Sequence, residues 1–190
     1  MSCPIWAFIL LNKNLKSIVE IAVLVLILRS AEMSAQFDDA PAFKLHEWTS
    51  IEAFDAAQDT VKAVSRWLCE TPISWQYERR SSANVYVLNW MTNHPKKKWE
   101  LDTQCFGPLN DHLELMYAFL HANLYFTLTH EKASSASRDI YVLQMLAKKI
   151  LWSDRYRGEK EWQILVRTVQ KGKEKKYLAQ CYNKTKQPVG

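Results

Sequence analysis

Glu114, His121 and Tyr125 are the residues of this sequence whose types and spacing could do chemistry together. All three fall in the most apolar stretch of the chain, Leu109–Leu128. At about 100° per residue, Glu114, Ala118, His121 and Tyr125 share a stripe roughly 60° wide on a helix. A carboxylate and an imidazole on one stripe are the usual partners of acid–base work. Seven residues along a helix axis is about 10 Å, however, so the two cannot touch. Only a ligand or a second helix could link them. The stripe therefore faces water, the simpler expectation, or lines a groove. A second pair, Arg79-Arg80, stands beside Glu78. The expectation is one arginine in solvent and one paired to an acidic neighbour. The alternative is an anion-binding pair.

Most other chemistry is excluded by pattern. Glycines occur only at 107, 158, 172 and 190, so there is no phosphate-cradling loop of either common kind. The five histidines are scattered, with no metal-ligating pair on one helix face. Asp111, His112 and Glu114 are close, but adjacent residues on a helix point apart. No metal and no cofactor are expected. There is no C-x-x-C, hence no redox or zinc knuckle, and no G-x-S-x-G elbow. A catalytic set assembled from distant segments leaves no such trace, so a small enzyme with its site in a helical groove stays open as an alternative.

The elements that must position these residues read as helices. Thr49-Ser50-Ile51-Glu52 has the form of a capping box. Ile51, Phe54, Val61, Val64, Trp67 and Leu68 follow at three-and-four spacing. The helix should stop near Thr71, before Pro72. Thr71 and Pro72 then fit as N-cap and first residue of a second helix carrying Arg79, Ala83, Val87 and Trp90 and ending at Asn93-His94-Pro95. "KKKWELD" (96–102) suits an extended segment held by Trp99 and Leu101. Leu109–Leu128, apolar over most of its circumference, belongs at the centre of a bundle. A polar connection, His130 to Ser137, precedes an amphipathic helix over Ile140–Trp152, with Ile140, Leu143, Ala147, Ile150 and Leu151 on one side. Two more helices follow, around Trp162–Val169 and Tyr177–Cys181, and the terminus from Lys184 should fray. The expected architecture is all-α: five or six antiparallel helices around Leu109–Leu128.

Residues 1–36 read as a signal peptide. Lys13 and Lys16 precede an apolar run, Ile18–Leu28, and Ser30, Ala31, Ser34 and Ala35 form a small-residue exit. Cleavage is expected after Ala35 or Gln36, leaving 37–190 as one exported helical domain, periplasmic or secreted. Glu20, Arg29 and Met33 depart from the ideal, and the earlier apolar block Ile5–Leu11 is surplus, as if translation began near Leu15. The alternative is a membrane protein anchored by residues 1–28. Cys69, Cys105 and Cys181 remain after cleavage, so at most one bridge can form. The simpler expectation is three unpaired, buried thiols. The formal net charge of +5 is uneven. From residue 157 onward nine Lys and Arg face three Glu. That basic end is expected to be solvated. With the N-terminal segment, it is the only expected point of membrane contact, and nucleic acid is not an expected partner of an exported chain. Asn183-Lys184-Thr185 has the form of a glycosylation sequon.

"WLCETP" followed by "ERRSSANVYVLNWMTNHP" (67–95) resembles a loosely defined set of small exported bacterial proteins of unknown function. A Tyr- and Ala-bearing apolar helix similar to Leu113–Tyr125 follows in them, and the likeness covers roughly 67–170. It implies an all-helical exported domain and carries over no catalytic residues. Cys69 and Lys96–Lys98 depart from the pattern. Together these readings point to a non-catalytic envelope protein that binds another envelope protein or supports an assembly.

Overall fold

The computed structural model describes residues 41–45, 48–99 and 101–185, all within one unit that begins at Pro41. The expected signal or anchor segment, 1–36, lies outside the described residues. So does the chain beyond 185. No helix among the described residues is long and apolar enough to cross a membrane.

The fold is all-α. Helix α1, Ile51–Glu70, starts at Ser50, whose hydroxyl accepts the amide of Ala53 at 3.3 Å. The cap thus lies one residue later than the box starting at Thr49, and Glu52 sits in the first turn. There a backbone amide and the Ser50 hydroxyl hold its carboxyl below the usual range. Thr71 does not open the next helix. Its hydroxyl donates back to the Trp67 carbonyl at 2.7 Å, and its amide donates to the same oxygen. Thr71 therefore closes α1, and Pro72 is not a first helical residue. The chain turns through 72–75, with the Trp75 amide on the Pro72 carbonyl. Gln76, left-handed at φ 48°, then leads into α2, Tyr77–Asn93.

The apolar stretch begins as a 3-10 turn, Leu109–Asp111, and breaks at His112 before α3, Leu113–Thr129. Helix α4, Ser135–Trp152, is capped by Ser134 and starts five residues earlier than the apolar pattern suggests. A four-residue helix that the sequence reading lacks, α5 (Asp154–Arg157), precedes α6, Lys160–Gln170, and α7, Glu174–Thr185.

Helix α3 is central, packed between α1 and α4, while α4 also carries α5, α6 and α7. Leu115, Phe119, Leu143, Leu146, Ile150 and Trp162 are fully buried at this junction. Each contributes about 2 kcal/mol of apolar burial. The expected face of α4 needs one correction. Leu151 is 39% exposed, while Lys149 is completely buried. Val142, Leu146 and Lys149 follow one three-and-four spacing, which puts the lysine on the core stripe.

The cysteines also differ from the simpler expectation of three free thiols. Cys105 and Cys181 form a disulfide across 76 residues, tying α7 to the segment before the 3-10 turn. Cys69 alone among the described residues is free, and it is buried. Gly107, two residues after Cys105, has φ +86°. A Cβ there would lie 2.5 Å from the Trp162 ring, so this turn requires glycine both for its conformation and for the close approach.

Candidate functional site

The C-terminal turn of α1 ends inside the protein, and its carbonyls need donors there. Two cations supply them. The Lys149 Nζ donates to the Leu68 carbonyl at 2.6 Å and to that of Thr71. Arg80, 8% exposed, donates through Nη2 to Leu68 O at 3.2 Å and through Nη1 to the Thr71 carbonyl and hydroxyl. The placement follows helix electrostatics, since cations are favoured at the negative end of the dipole. Trp67 lies 5.6 Å from the Arg80 guanidinium and Trp152 5.4 Å from the Lys149 ammonium, within cation–π range. No carboxylate among the described residues pairs with either cation. Burial is the largest effect on both. It lowers the Arg80 pKa to about 10 and that of Lys149 well below the usual lysine value, the second cation adding to the latter. Cys69 sits beside them, its thiol pushed up to about 12 by burial. It is a buried apolar filler at neutral pH, not a nucleophile.

Arg80 is also one wall of a cleft of about 420 Å³. On α2 the lining includes Tyr77, Arg80, Ser81 and Asn84; opposite stand His112, Glu114 and Tyr117, and α5 adds Arg155 and Tyr156. Glu114 is already engaged. It accepts from the Tyr156 hydroxyl at 2.9 Å and lies 3.9 Å from Arg155. Burial and the Glu114 contact together raise the Tyr156 pKa to about 12, so this hydroxyl stays protonated and donating. His121 stands behind the cleft. It is 1% exposed and bonded through Nε2 to Asn84 Oδ1 at 2.8 Å. An amide oxygen can only accept, so the ring donates from Nε2. Burial first, then Arg80 and Lys149, depress its pKa to about 3, and the ring is neutral at physiological pH.

The sequence candidates thus separate. Glu114 and Arg80 meet at one cleft, with His121 immediately behind it. The stripe of Glu114, Ala118, His121 and Tyr125 is not a wet edge, because Ala118 and His121 are buried against the bundle. The imidazole is turned into the protein, its Nε2 meeting an amide on α2 while its buried Nδ1 has no hydrogen-bond partner. Tyr125 lies elsewhere, its ring 6.1 Å from that of Tyr141. Arg79 is exposed and points into a separate shallow depression beside Pro41, Phe43 and Leu45. Arg80 is not paired to an acidic neighbour, as its residue type had suggested; the C-terminal end of α1 holds it instead. Asn84, Lys149 and Tyr156 were missed. Only Lys149 carried a legible signal, its place on an apolar spacing.

Two other features border this region. His112, Glu159 and Glu161 offer ligand atoms within 4.8 Å of one another, a nitrogen–oxygen set of the kind that suits zinc. Glu159 also accepts from the Trp162 indole at 3.1 Å. Within this grouping His112 Nε2 and Glu159 Oε2 lie 3.9 Å apart. A second cleft, about 470 Å³, runs beside Lys96, Lys98, Trp99 and Arg138. Trp99 is anchored there by its indole donating to Met91 O at 3.1 Å, whereas Leu101 is exposed. Lys96 and Lys98 are exposed too, so their charge is already met by water.

Fold and site define an all-α bundle with a polar cleft floored by a buried arginine. Compared with known protein families, curated proteins and solved structures, the chain finds no match.

Proposed function

We propose that this is an exported, non-catalytic binding protein of the cell envelope, and that its ligand sits in the cleft between α2, the start of α3 and α5. The observation that carries the reading is Arg80. A desolvated guanidinium with only neutral oxygens as partners is costly to bury, and it is placed where a ligand can reach it. Three helices bring polar groups to the same concavity, the general form of a small-molecule site. The Cys105–Cys181 bridge supports export, since disulfides persist in oxidising compartments. The non-catalytic part rests on the acid–base groups. Glu114 is occupied by Tyr156 and Arg155, and His121 is turned to Asn84 behind the wall, so neither is free to act as a base.

Two measurements test this. Intact-mass analysis of the protein from its own host should place the mature N-terminus near Gln36 or Phe37; a retained Met1–Leu28 segment would replace export by anchoring. NMR of the full-length protein titrated with the host's soluble metabolites should move the signals of Tyr77, Ser81, Asn84 and Tyr117 together. If those signals stay fixed, the cleft is not a ligand seat.

A further inference from the structure

The chemistry of the two cleft walls is unequal. Arg80 and Asn84 are one turn apart on α2 and share a face. His121 binds the Asn84 carbonyl oxygen at 2.8 Å, so the two Nδ2–H donors of that amide are left for an occupant of the cleft that Asn84 lines. Arg80 contributes a positive charge whose hydrogen bonds run only to the Leu68 and Thr71 oxygens. Lys149 holds the same two carbonyls from behind. The acidic wall is different, because Glu114 is already met by Tyr156 and Arg155. Asp111, also on the lining, is exposed to water. The buried charge that faces this cleft without a carboxylate partner is Arg80, and the donors left unused are on α2.

We infer that the cleft recognises an oxyanion, the carboxylate or phosphoryl group of a small ligand, through the Arg80 guanidinium and the Asn84 amide. The inference rests on the cleft being a ligand seat and names the chemistry it selects. Charge-assisted bonds from a guanidinium are the strong, directional kind that such groups favour. A desolvated Arg80 gives them more weight than the exposed lysines of the neighbouring groove can. His121 is then a positioning residue. Its fixed Nε2–H holds the Asn84 carbonyl inward and so keeps the donors outward.

The test is NMR titration of the full-length protein with sodium acetate, inorganic phosphate and, as a neutral polar probe, glycerol. Acetate or phosphate should shift the Asn84 side-chain amide and the Ser81 backbone amide, and glycerol should not. A larger effect from acetate assigns a carboxylate, and a larger effect from phosphate assigns a phosphoryl group. Asn84→Leu should weaken that binding roughly tenfold, the equivalent of one hydrogen bond to a charged group, with the helical circular-dichroism signal unchanged. His121→Gln, which keeps a donor for the Asn84 carbonyl, should retain most of it. If neither oxyanion moves these signals while metabolite titration does, the oxyanion assignment fails and the ligand seat stands. If nothing moves them, both fail. Oxyanion shifts that survive Asn84→Leu undiminished would also overturn the assignment.

Discussion

Lys149 caps a helix that precedes it by 81 residues: its ammonium donates to the carbonyl of Leu68 at 2.6 Å, entirely out of contact with water. The contact joins α4 to the end of α1 beneath the cleft wall, and it does so with a charge that burial disfavours. A lysine whose folded pKa is lowered gives up its proton at a pH where the unfolded chain still holds one, up to about 10.4. The unfolded state then binds more protons, so stability rises with pH through that window. Below the folded pKa both states are protonated and the full penalty applies. Denaturant midpoints measured from pH 7 to 9 should climb more steeply for the natural protein than for Lys149→Met. Parallel curves would mean that Lys149 titrates as an exposed lysine does.

The Cys105–Cys181 bridge closes a long loop around α3 through α6. In the chain-entropy picture a loop of this length is worth about 4 kcal/mol. Reduction, or Cys105→Ala with Cys181→Ala, should lower the denaturant midpoint by a corresponding amount. Peptide mapping without reductant should recover the 105–181 linkage and an unpaired Cys69. A free Cys105 in protein from the native host would remove the structural support for export.

Gly107 holds the chain between that disulfide and the Trp162 ring. Gly107→Ala forces a Cβ into the indole at 2.5 Å and onto a positive φ that L-residues resist. The expected cost is about 2 kcal/mol or more, read as a lowered thermal midpoint. Gly158 has no such neighbour, so Gly158→Ala should change stability far less. Equal effects at the two positions would show that the close approach to Trp162 is not what matters.

Much of the fold was legible because it rests on local signals. The three-and-four spacing of Phe54, Val61, Val64 and Leu68 determines the buried face of α1, and the apolar girth of α3 puts it at the centre. What was not legible depends on pairings across the chain. Thr71 has the residue type of an N-cap, and Pro72 after it reinforces that reading. Pro72 correctly marks the end of α1 at Thr71, but does not show that Thr71 bonds back to Trp67 O and is met by Arg80 and Lys149 from other helices. The same holds for the site. Glu114 and Arg80 stand out by type, but nothing in the sequence says that Asn84 will meet His121 across 37 residues. A polar stripe on a helix reads as solvent-facing until a partner for its histidine is known.

His121 offers the last test, because its burial against Asn84 underlies the orientation of that amide. Burial and the two cations hold its pKa at about 3, against about 6.5 when unfolded. Below pH 6.5 the unfolded chain takes up a proton that the folded ring refuses until about pH 3. Stability is therefore intact above pH 6.5 and falls progressively as pH drops through that interval, by about 1.4 kcal/mol for each unit of displacement. In the natural protein the His121 ring resonances should show no titration between pH 5 and 8. His121→Gln, which cannot be protonated, should flatten the part of the acid slope that His121 causes and keep the bond to Asn84. A His121 midpoint near 6.5 would place the ring in water. The Asn84 contact would then be too loose to present its amide to a ligand.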